Sequence, residues 1–519
     1  MKKLAISVLS IAFAWVCSAE QRPNVVVLLV DDMGYSDLSC MGAEINTPNL
    51  DKLAGNGVLF TQAYNTAKCY PSRVSLLTGS YFQASDREFN NTTTVAEMVG
   101  PTGYKTYWVG KHHSRFDPRT RGFDHFYGFL GGANNYWNPG NAQAPGGKMP
   151  AISGVHKWYF DGPEPIQPFI PDRTDWFMTD VFTDQGIEWL KASEEDGKPF
   201  FLYIAYNAPH WPLQAPQEYI DRCRSRYDAG YEAIRNARYK RQIESGLFNP
   251  EIVKLTEPDY DQAWDSFTPE RRARRIEQME VYAAVMENLD HNVGRLVEQL
   301  KASGQLDNTL ILFLSDNGAS KETPAAKVKN YSDQVPVGGV DSFESYGQGW
   351  AAVGNTPFNM FKGSSYEGGI CTPMIAHWPK GIQSPGRVSY EPVHLIDLMP
   401  TMADLSGATL PDGLEGLSLL GQLQNRSVTR EHPLYWEFNY GRAVRRGDMK
   451  LVAKGNSKWQ LFNIANDRSE TKDLSAQMPE VTSELNELWE DWWQESTGYP
   501  FSEKRARTQQ SKKPKNKKR

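Results

Sequence analysis

The chain is poor in cysteine, with five in 519 residues. Loss of an N-terminal leader would leave Cys40, Cys69, Cys223 and Cys371, and the sequence has no Cys-x-x-Cys pair. Small exported domains that depend on disulfides, and zinc sites built from cysteine pairs, need more cysteines at closer spacing. The sequence therefore excludes a disulfide scaffold and a cysteine-based zinc site.

Long apolar runs are also missing from most of the chain. After residue 20 none approaches the ~20 residues that span a bilayer, which predicts a protein without a transmembrane anchor. At the start, two lysines precede an apolar run over residues 4–16, and small residues follow up to Ala19. This pattern is typical of a secretory signal peptide, here residues 1–19, and predicts an exported protein, periplasmic or secreted. A lipoprotein anchor at Cys17 and a buried N-terminal strand are the two alternatives.

Acidic residues outnumber basic ones between the two ends of the chain. The formal net charge is −6, although residues 504–519 carry nine lysines or arginines and no acidic residue. The rest of the chain is acidic, so we expect no nucleic-acid partner. Residues 501–519 are predicted to be a disordered basic tail, because such a segment cannot build an apolar core. It is either a solvated end or an electrostatic tether to an anionic polymer.

Short apolar strands alternate with helices along the chain. Residues 24–30 form a continuous apolar run rich in β-branched residues, which is typical of a strand buried on both faces of a parallel sheet. Similar strands are predicted at residues 105–109, 200–206 and 309–315, and helices at residues 48–57, 179–192 and 274–302. The alternation predicts an α/β fold in which a central, mostly parallel sheet is flanked by helices.

The composition changes around residues 421–430. Strand-like segments then follow at residues 441–446, 449–454 and 459–463, and a helix at residues 479–495. They predict a small C-terminal α+β subdomain. The expected organisation is a signal peptide at 1–19, a catalytic domain at 20–425, the subdomain at 426–500 and the basic tail at 501–519.

Polar or charged residues follow four of the predicted strands at the point where each strand ends. They are Asp31 and Asp32, Lys111 and His113, His210, and Asp316 and Asn317. In parallel α/β sheets the functional site lies at the carboxyl ends of the strands. The aspartates and the asparagine offer hard oxygen ligands, which suit Ca²⁺ first and Mg²⁺ second and argue against zinc. Taken alone, Asp31 and Asp32 are at least as typical of an acidic turn that caps the next helix, and residues 316–318 are typical of a turn.

Cys69 lies at or just before the start of a predicted helix, because Pro71 is typical of a first helical turn. The positive end of the helix dipole favours an anion there, and Arg73 is close enough in sequence to help hold it. The pattern indicates an activated cysteine beside an anion-binding site. The alternative is a free buried thiol in front of a capped helix.

Residues 69–79 resemble the signature of the type I sulfatases, which belong to the alkaline phosphatase superfamily. The resemblance runs from residue 23 to about residue 493 and includes the segments 121–128 and 458–463. Within the family, the chain resembles the bacterial arylsulfatases. The resemblance implies an alkaline phosphatase-like fold.

The resemblance also implies a chemistry. A separate maturation enzyme would oxidise Cys69 to formylglycine, whose hydrated form, a gem-diol, is the nucleophile. One calcium ion would be bound by the modified Cys69 and by Asp31, Asp32, Asp316 and Asn317. Sulfate binding and proton transfer fall to Lys111, His113, His210 and Lys362, and Arg73 would help the calcium ion to hold one hydroxyl of the nucleophile. At position 112 the family usually has tryptophan, whereas this chain has His112, which is then either a spare residue or a substrate contact.

The predicted function is hydrolysis of a sulfate ester to inorganic sulfate and an alcohol, with a sulfated carbohydrate or an aryl sulfate as the substrate. Aromatic residues at 134–137 and 158–176 are expected either to line the mouth of the site and stack on sugar rings or to pack in the core. Two alternative functions are a phosphonate or phosphate ester hydrolase of the same superfamily and a non-catalytic protein that binds sulfated glycans.

Overall fold

The computed structural model describes residues 22–85, 88–151, 155–327, 332 and 334–511. The main sheet contains ten strands: β1 (Asn24–Val30), β2 (Val58–Tyr64), β3 (Lys105–Lys111), β4 (His125–Phe129), β5 (Trp158–Phe160), β6 (Phe200–Ala205), β7 (Thr309–Ser315), β8 (Cys371–His377), β9 (Arg387–Ser389) and β10 (Val393–His394). Their spatial order is β10-β2-β8-β7-β1-β6-β3-β4-β5, and β9 pairs with β2. The β2–β8, β7–β8 and β4–β5 pairs are antiparallel and the other pairs are parallel. The predicted α/β fold with a mostly parallel sheet is therefore confirmed.

Helices cover both faces of this sheet, and others lie elsewhere, among them one that packs against a second, smaller sheet. They are α1 (Pro48–Gly55), α2 (Cys69–Thr78), α3 (Val95–Val99), α4 (Met178–Asp196), α5 (Gln217–Cys223), α6 (Gly230–Glu244), α7 (Pro269–Ala302), α8 (Gly347–Gly354), α9 (Glu367–Ile370), α10 (Leu398–Ser406), α11 (Leu420–Leu423), α12 (Pro479–Thr497) and α13 (Lys504–Ser511). Within the described residues, none of them combines the length and the apolar character that a membrane span requires.

The central strand β1 shows why its residues form this element. Successive side chains of a strand point to opposite faces. Val26 and Leu28 join the hydrophobic cluster that contains α4 and α7, whereas Val25, Val27 and Leu29 join the cluster that contains α2 and α10. Because both faces are buried, the strand does not alternate between polar and apolar residues. The whole strand lies between two packed layers of side chains.

A second, antiparallel sheet follows the main one. It consists of β11 (Leu434–Phe438), β12 (Gly441–Arg446), β13 (Met449–Ala453) and β14 (Gln460–Asn463), and α12 packs against it. On one face Val444 and Leu451 contact the cluster around Trp489, and on the other Trp436 and Val452 belong to the core of the main sheet. The predicted small C-terminal α+β unit is therefore present, with one strand, β11, that the sequence patterns did not indicate.

The start of the predicted disordered tail is ordered in the structure. Phe501 is buried, with its ring centroid 4.9 Å from that of Trp489 and 5.1 Å from that of Trp493, and α13 follows it. The prediction of disorder was therefore wrong for residues 501–511, because it weighed the cations and overlooked this single apolar anchor. Residues 512–519 and the predicted signal peptide lie outside the described residues.

Buried ion pairs join the two sheets. Lys450 on β13 lies 2.7 Å from Glu367, the first residue of α9, and 2.8 Å from Glu470. Arg468 pairs with the second carboxylate oxygen of Glu367. The side chains of Lys450 and Glu367 are fully buried, so loss of either charge would leave its partner without compensation in a medium of low dielectric constant.

We expect Lys450→Met to lower the free energy of unfolding by about 3 kcal/mol, because two buried carboxylates lose a cation while the chain keeps a side chain of similar volume. The matched control is Lys454→Met, at an exposed lysine just beyond β13, which should change that free energy by less than about 0.5 kcal/mol. Urea unfolding of both variants measures the difference. Equal stabilities would show that the buried network contributes nothing.

Candidate functional site

Four neighbouring parallel strands position the site. They lie in the order β7-β1-β6-β3, so their carboxyl ends meet at one edge of the sheet. This edge carries Asp316 and Asn317 after β7, Asp31 and Asp32 after β1, His210 beyond β6 and Lys111 at the end of β3. Cys69 and Arg73 come from α2, and Lys362 comes from the loop before α9. The structure thus brings together side chains that lie far apart in the sequence.

Oxygen atoms converge at the centre of this edge. Asn317 Nδ2 donates to Asp32 Oδ1 at 2.7 Å. One ligand atom each from Asp31, Asp32, Cys69 and His210 lies within 4.8 Å of the others. Among the described residues, neither Asp31 Oδ1 nor Asn317 Oδ1 has a hydrogen-bond partner, although both are buried. Buried oxygens without partners fit a hard cation, because they would otherwise be desolvated without compensation.

Each of the three carboxylates has a buried cationic partner. Lys111 pairs with Asp31, Lys362 lies 2.6 Å from Asp32, and Arg73 lies 2.8 Å from Asp316. Burial acts to raise the pKa of Asp31, but Lys111 and the other cations hold it well below its usual range. Burial and the neighbouring Asp31 charge together raise the pKa of Asp316 to about 7. The three carboxylates and the three cations carry equal and opposite charge. An added divalent cation would therefore give the site the net positive charge that an anionic substrate needs.

Cys69 is the first residue of α2, as the sequence predicted from Pro71. Its side chain is buried, and its Sγ atom lies 4.0 Å from Asp32 Oδ1. Burial raises the pKa of the Cys69 thiol to about 12, even though Lys111 and Lys362 act in the opposite direction. Because the thiolate is the reactive form of cysteine, the unmodified thiol is a poor nucleophile in this environment.

Two histidines lie at the same edge. His210 Nδ1 is 2.6 Å from the Trp211 carbonyl oxygen, so Nδ1 carries a proton that it donates to this oxygen, and Nε2 faces Asp32, 3.5 Å away. Burial lowers the pKa of His210. His113 has a φ of 65°, and its ring lies against Gly132, where a Cβ atom would come within 2.6 Å of Nε2. The absence of a side chain at Gly132 therefore makes room for the ring.

A family model described as Sulfatase matches residues 23–408, which is most of the chain. This chain belongs to the sulfatase family. A second model, described as N-sulphoglucosamine sulphohydrolase, C-terminal, matches residues 359–495. An arylsulfatase of Klebsiella aerogenes is 34% identical over 75% of this chain and 87% of its own length. An uncharacterized sulfatase of Schizosaccharomyces pombe is 30% identical over 90% of this chain and 93% of its own length.

The fold of this sulfatase is also found in solved structures. Ps i-CgsB in complex with k-i-k-neocarrahexaose matches it with a TM-score of 0.67 and 26% sequence identity, over 95% of this chain and 98% of that chain. The match therefore includes both sheets. Family and fold together establish a type I sulfatase of the alkaline phosphatase superfamily, and the protein is a sulfuric ester hydrolase.

His112 has a packing role in this sulfatase. Its ring stacks on Trp108, with centroids 4.5 Å apart and planes 5° from parallel, and it meets Phe116 edge-on at 4.5 Å. Among the described residues its two nitrogens have no hydrogen-bond partner, and burial lowers its pKa to about 3. The neutral ring therefore takes the place of the aromatic residue that the family usually has there.

The structure adds residues that the sequence did not indicate. Glu322, in the loop after β7, lies 2.8 Å from Lys68 and 3.9 Å from the catalytic candidate Lys362, and it accepts a hydrogen bond from Trp211 Nε1 at 3.0 Å. A charged loop residue is usually solvated, so only its place after a strand that carries site residues could have indicated Glu322.

The aromatic segments have different roles. Trp158 is fully buried, and its ring lies 5.4 Å from Phe169 and 5.8 Å from Trp176, so these three aromatic side chains pack together. Trp137 is only partly buried and stands at the edge of a cavity. Packing in the core therefore accounts for Trp158, Phe169 and Trp176, whereas it leaves part of the Trp137 ring exposed.

Proposed function

We propose that this sulfatase is exported and hydrolyses sulfate esters of carbohydrates, with formylglycine formed from Cys69 as the nucleophile and one calcium ion as the metal. The observation that carries the proposal is the position of Cys69. It begins a helix and lies within 4.8 Å of the carboxylates of Asp31 and Asp32, whose charges are balanced by buried lysines.

The donor set supports the choice of calcium. Asp31, Asp32, Asp316 and Asn317 would hold the ion through oxygen atoms, and two of these oxygens lack any other partner among the described residues. When bound, the ion would supply Lewis-acid polarisation of oxygen atoms at the reacting centre. Lys111, Lys362 and Arg73 would remain in position to bind the substrate sulfate, because a carboxylate of the same site holds each of them in place.

The residues of the chain then have separate tasks. Formylglycine, once formed, would supply a hydrated aldehyde with two hydroxyl groups. One hydroxyl would attack sulfur while Asp316 accepts its proton, and loss of the proton of the other would break the bond to sulfate and restore the aldehyde. Lys111, Lys362 and Arg73 are fixed charges that would stabilise the sulfuryl oxygens as negative charge develops on them. His210 would protonate the leaving alcohol, and His113 would take the proton of the second hydroxyl.

The buried position of Cys69 also bears on maturation. A folded protein offers an oxidising enzyme no access to a thiol that is 1% exposed. We therefore expect a formylglycine-generating enzyme to act on the segment around Cys69 before the chain folds.

Export of the finished enzyme is supported by the predicted signal peptide.

Carbohydrate is favoured as the substrate class over a simple aryl sulfate. Ps i-CgsB, whose fold this chain shares over almost its whole length, binds k-i-k-neocarrahexaose. The partly exposed Trp137 offers an aromatic face of the kind on which sugar rings pack.

Turnover of matched esters tests the function. Protein produced together with a formylglycine-generating enzyme should release sulfate from a small aryl sulfate and leave a phosphate diester and a phosphonate monoester intact. Ion chromatography measures the sulfate released from the first ester and the phosphate monoester and phosphonate formed from the other two. Faster hydrolysis of either phosphorus ester would favour the phosphonate or phosphate ester hydrolase. Binding of sulfated glycans without any turnover would favour the non-catalytic alternative.

A further inference from the structure

A cavity of about 380 Å³ lies outside the catalytic centre. Its lining includes Trp137, Lys148, Arg173, Thr174 and the backbone of Gly147. Among the described residues that line it there are two cations and no carboxylate. The catalytic chemistry uses none of these side chains, so their combination has to be explained by another role.

Trp137 is a fixed platform at this cavity. Its Nε1 atom donates to the Gly338 carbonyl oxygen at 3.1 Å, and its ring packs against Phe177 with centroids 4.7 Å apart. The ring therefore has one orientation before any ligand arrives, while part of its surface stays exposed. A rigid aromatic face loses little entropy when an apolar surface, such as the C–H face of a sugar ring, packs on it.

Lys148 and Arg173 are cations that can change partner. Lys148 is 69% exposed and lies 3.0 Å from Asp341, and Arg173 is 55% exposed and lies 3.5 Å from Asp175. Exposed ion pairs of this kind stabilise a protein little, so an anionic ligand can replace either carboxylate. Two such cations beside an aromatic platform match a sugar that carries a negatively charged substituent.

The cavity and the catalytic centre share a segment of chain. Gly132 lies against the ring of His113, and the Tyr136 hydroxyl donates to the His210 carbonyl oxygen at 2.8 Å. Trp137 follows directly, and the five residues that lead to it from Gly132 span at most about 18 Å. The cavity therefore lies within about 18 Å of the residues around His113, a distance within reach of an oligosaccharide whose ester lies at Cys69.

We propose that this cavity is a second subsite, which binds a further sulfated sugar of an oligosaccharide whose ester is cleaved at Cys69. The inference rests on the proposed function and adds that the substrate is a chain with sulfates on more than one sugar. Trp137 binds the sugar ring of the second unit, and Lys148 and Arg173 bind its sulfate.

The test compares two substrates. Sulfated hexasaccharides of glucosamine, galactosamine and galactose type are screened for desulfation by the native enzyme, and the best is used beside a small aryl sulfate. Two variants are compared with the native enzyme: Trp137→Ala, and a double variant that combines Lys148→Ala and Arg173→Ala. In each we expect the ratio of the hexasaccharide KM to the aryl sulfate KM to rise about tenfold. The effect of the two cations should disappear at 1 M salt, where the Debye length is about 3 Å, whereas the effect of Trp137 should persist.

Three controls keep the result interpretable. Trp137→Phe should restore most of the affinity, because it keeps an aromatic face. Arg222→Ala removes a similarly exposed arginine, which pairs with Glu218 on α5, and should behave as native. Calorimetric titration of the hexasaccharide into Cys69→Ala protein measures the subsite without turnover.

The outcomes separate the two proposals. If the native enzyme cleaves the aryl sulfate but the variants keep the native KM ratio, or if it cleaves none of the hexasaccharides, the subsite is wrong and the sulfatase chemistry stands. If the native enzyme cleaves neither substrate, the proposed chemistry fails, and the titration still decides whether Trp137 and the two cations bind the sulfated chain.

Discussion

Replacing Cys69 with alanine should lower kcat on a small aryl sulfate by about 10⁴-fold or more, because the covalent step loses its nucleophile. The structure adds a reason why a plain thiol cannot substitute. Burial raises the pKa of the Cys69 thiol to about 12, so the unmodified enzyme has almost no thiolate at neutral pH. Protein made without a formylglycine-generating enzyme should therefore be nearly as inactive as the alanine variant.

The matched control is Cys40→Ala, which removes a half-buried thiol elsewhere in the fold and should keep native turnover. Mass spectrometry of the peptide that contains Cys69 should find a species lighter than the cysteine form in active protein only. Substantial turnover by Cys69→Ala, with the native melting temperature, would overturn the proposed mechanism.

Removal of the metal is the second change with a large expected effect. Chelation should abolish activity, and Ca²⁺ should restore it better than Zn²⁺, because the available ligands are hard oxygens. Binding should also stabilise the fold, by about 2.7 kcal/mol when the free ion is at one hundred times its dissociation constant. Thermal unfolding with and without Ca²⁺ measures this effect independently of turnover.

Asp32→Asn tests the site assigned to the ion. Loss of one negative charge next to Asn317 and Lys362 should weaken calcium affinity, which titration calorimetry can measure. Asp184→Asn is the control, since Asp184 is half exposed and pairs with Arg295 at the surface. Active enzyme that contains zinc and no calcium by elemental analysis would contradict the assignment.

Local patterns predicted the strands that are buried on both faces. The predicted strands at 24–30 and 309–315 agree in both bounds with β1 and β7. The strands β2 and β8 were not predicted, because β2 contains Thr61 and Gln62, and β8 contains a proline, so neither is a continuous apolar run. Their antiparallel pairing with each other and of β8 with β7 depends on contacts between distant segments, which no local pattern records.

The residues of the candidate site were predicted from two kinds of signal. Strand ends indicated the carboxylates and Lys111, and the signature beginning at Cys69 supplied the chemistry. Glu322 and Trp211 were not predicted to meet, because their hydrogen bond depends on how two loops lie over the sheet. The packing of His112 on Trp108 likewise required the fold.

The sequence by itself determined the strands that are buried on both faces, such as β1 and β7, the helix start at Cys69 and the set of charged residues at the strand ends. These follow from apolar periodicity and from the special geometry of proline, which act over a few neighbouring residues. Only the tertiary structure decided which cation faces which carboxylate, that the Cys69 thiol stays protonated, and that Trp137, Lys148 and Arg173 surround one cavity. Desolvation and charge pairing depend on atoms that approach through space from distant parts of the chain, so they are absent from any local pattern of residues.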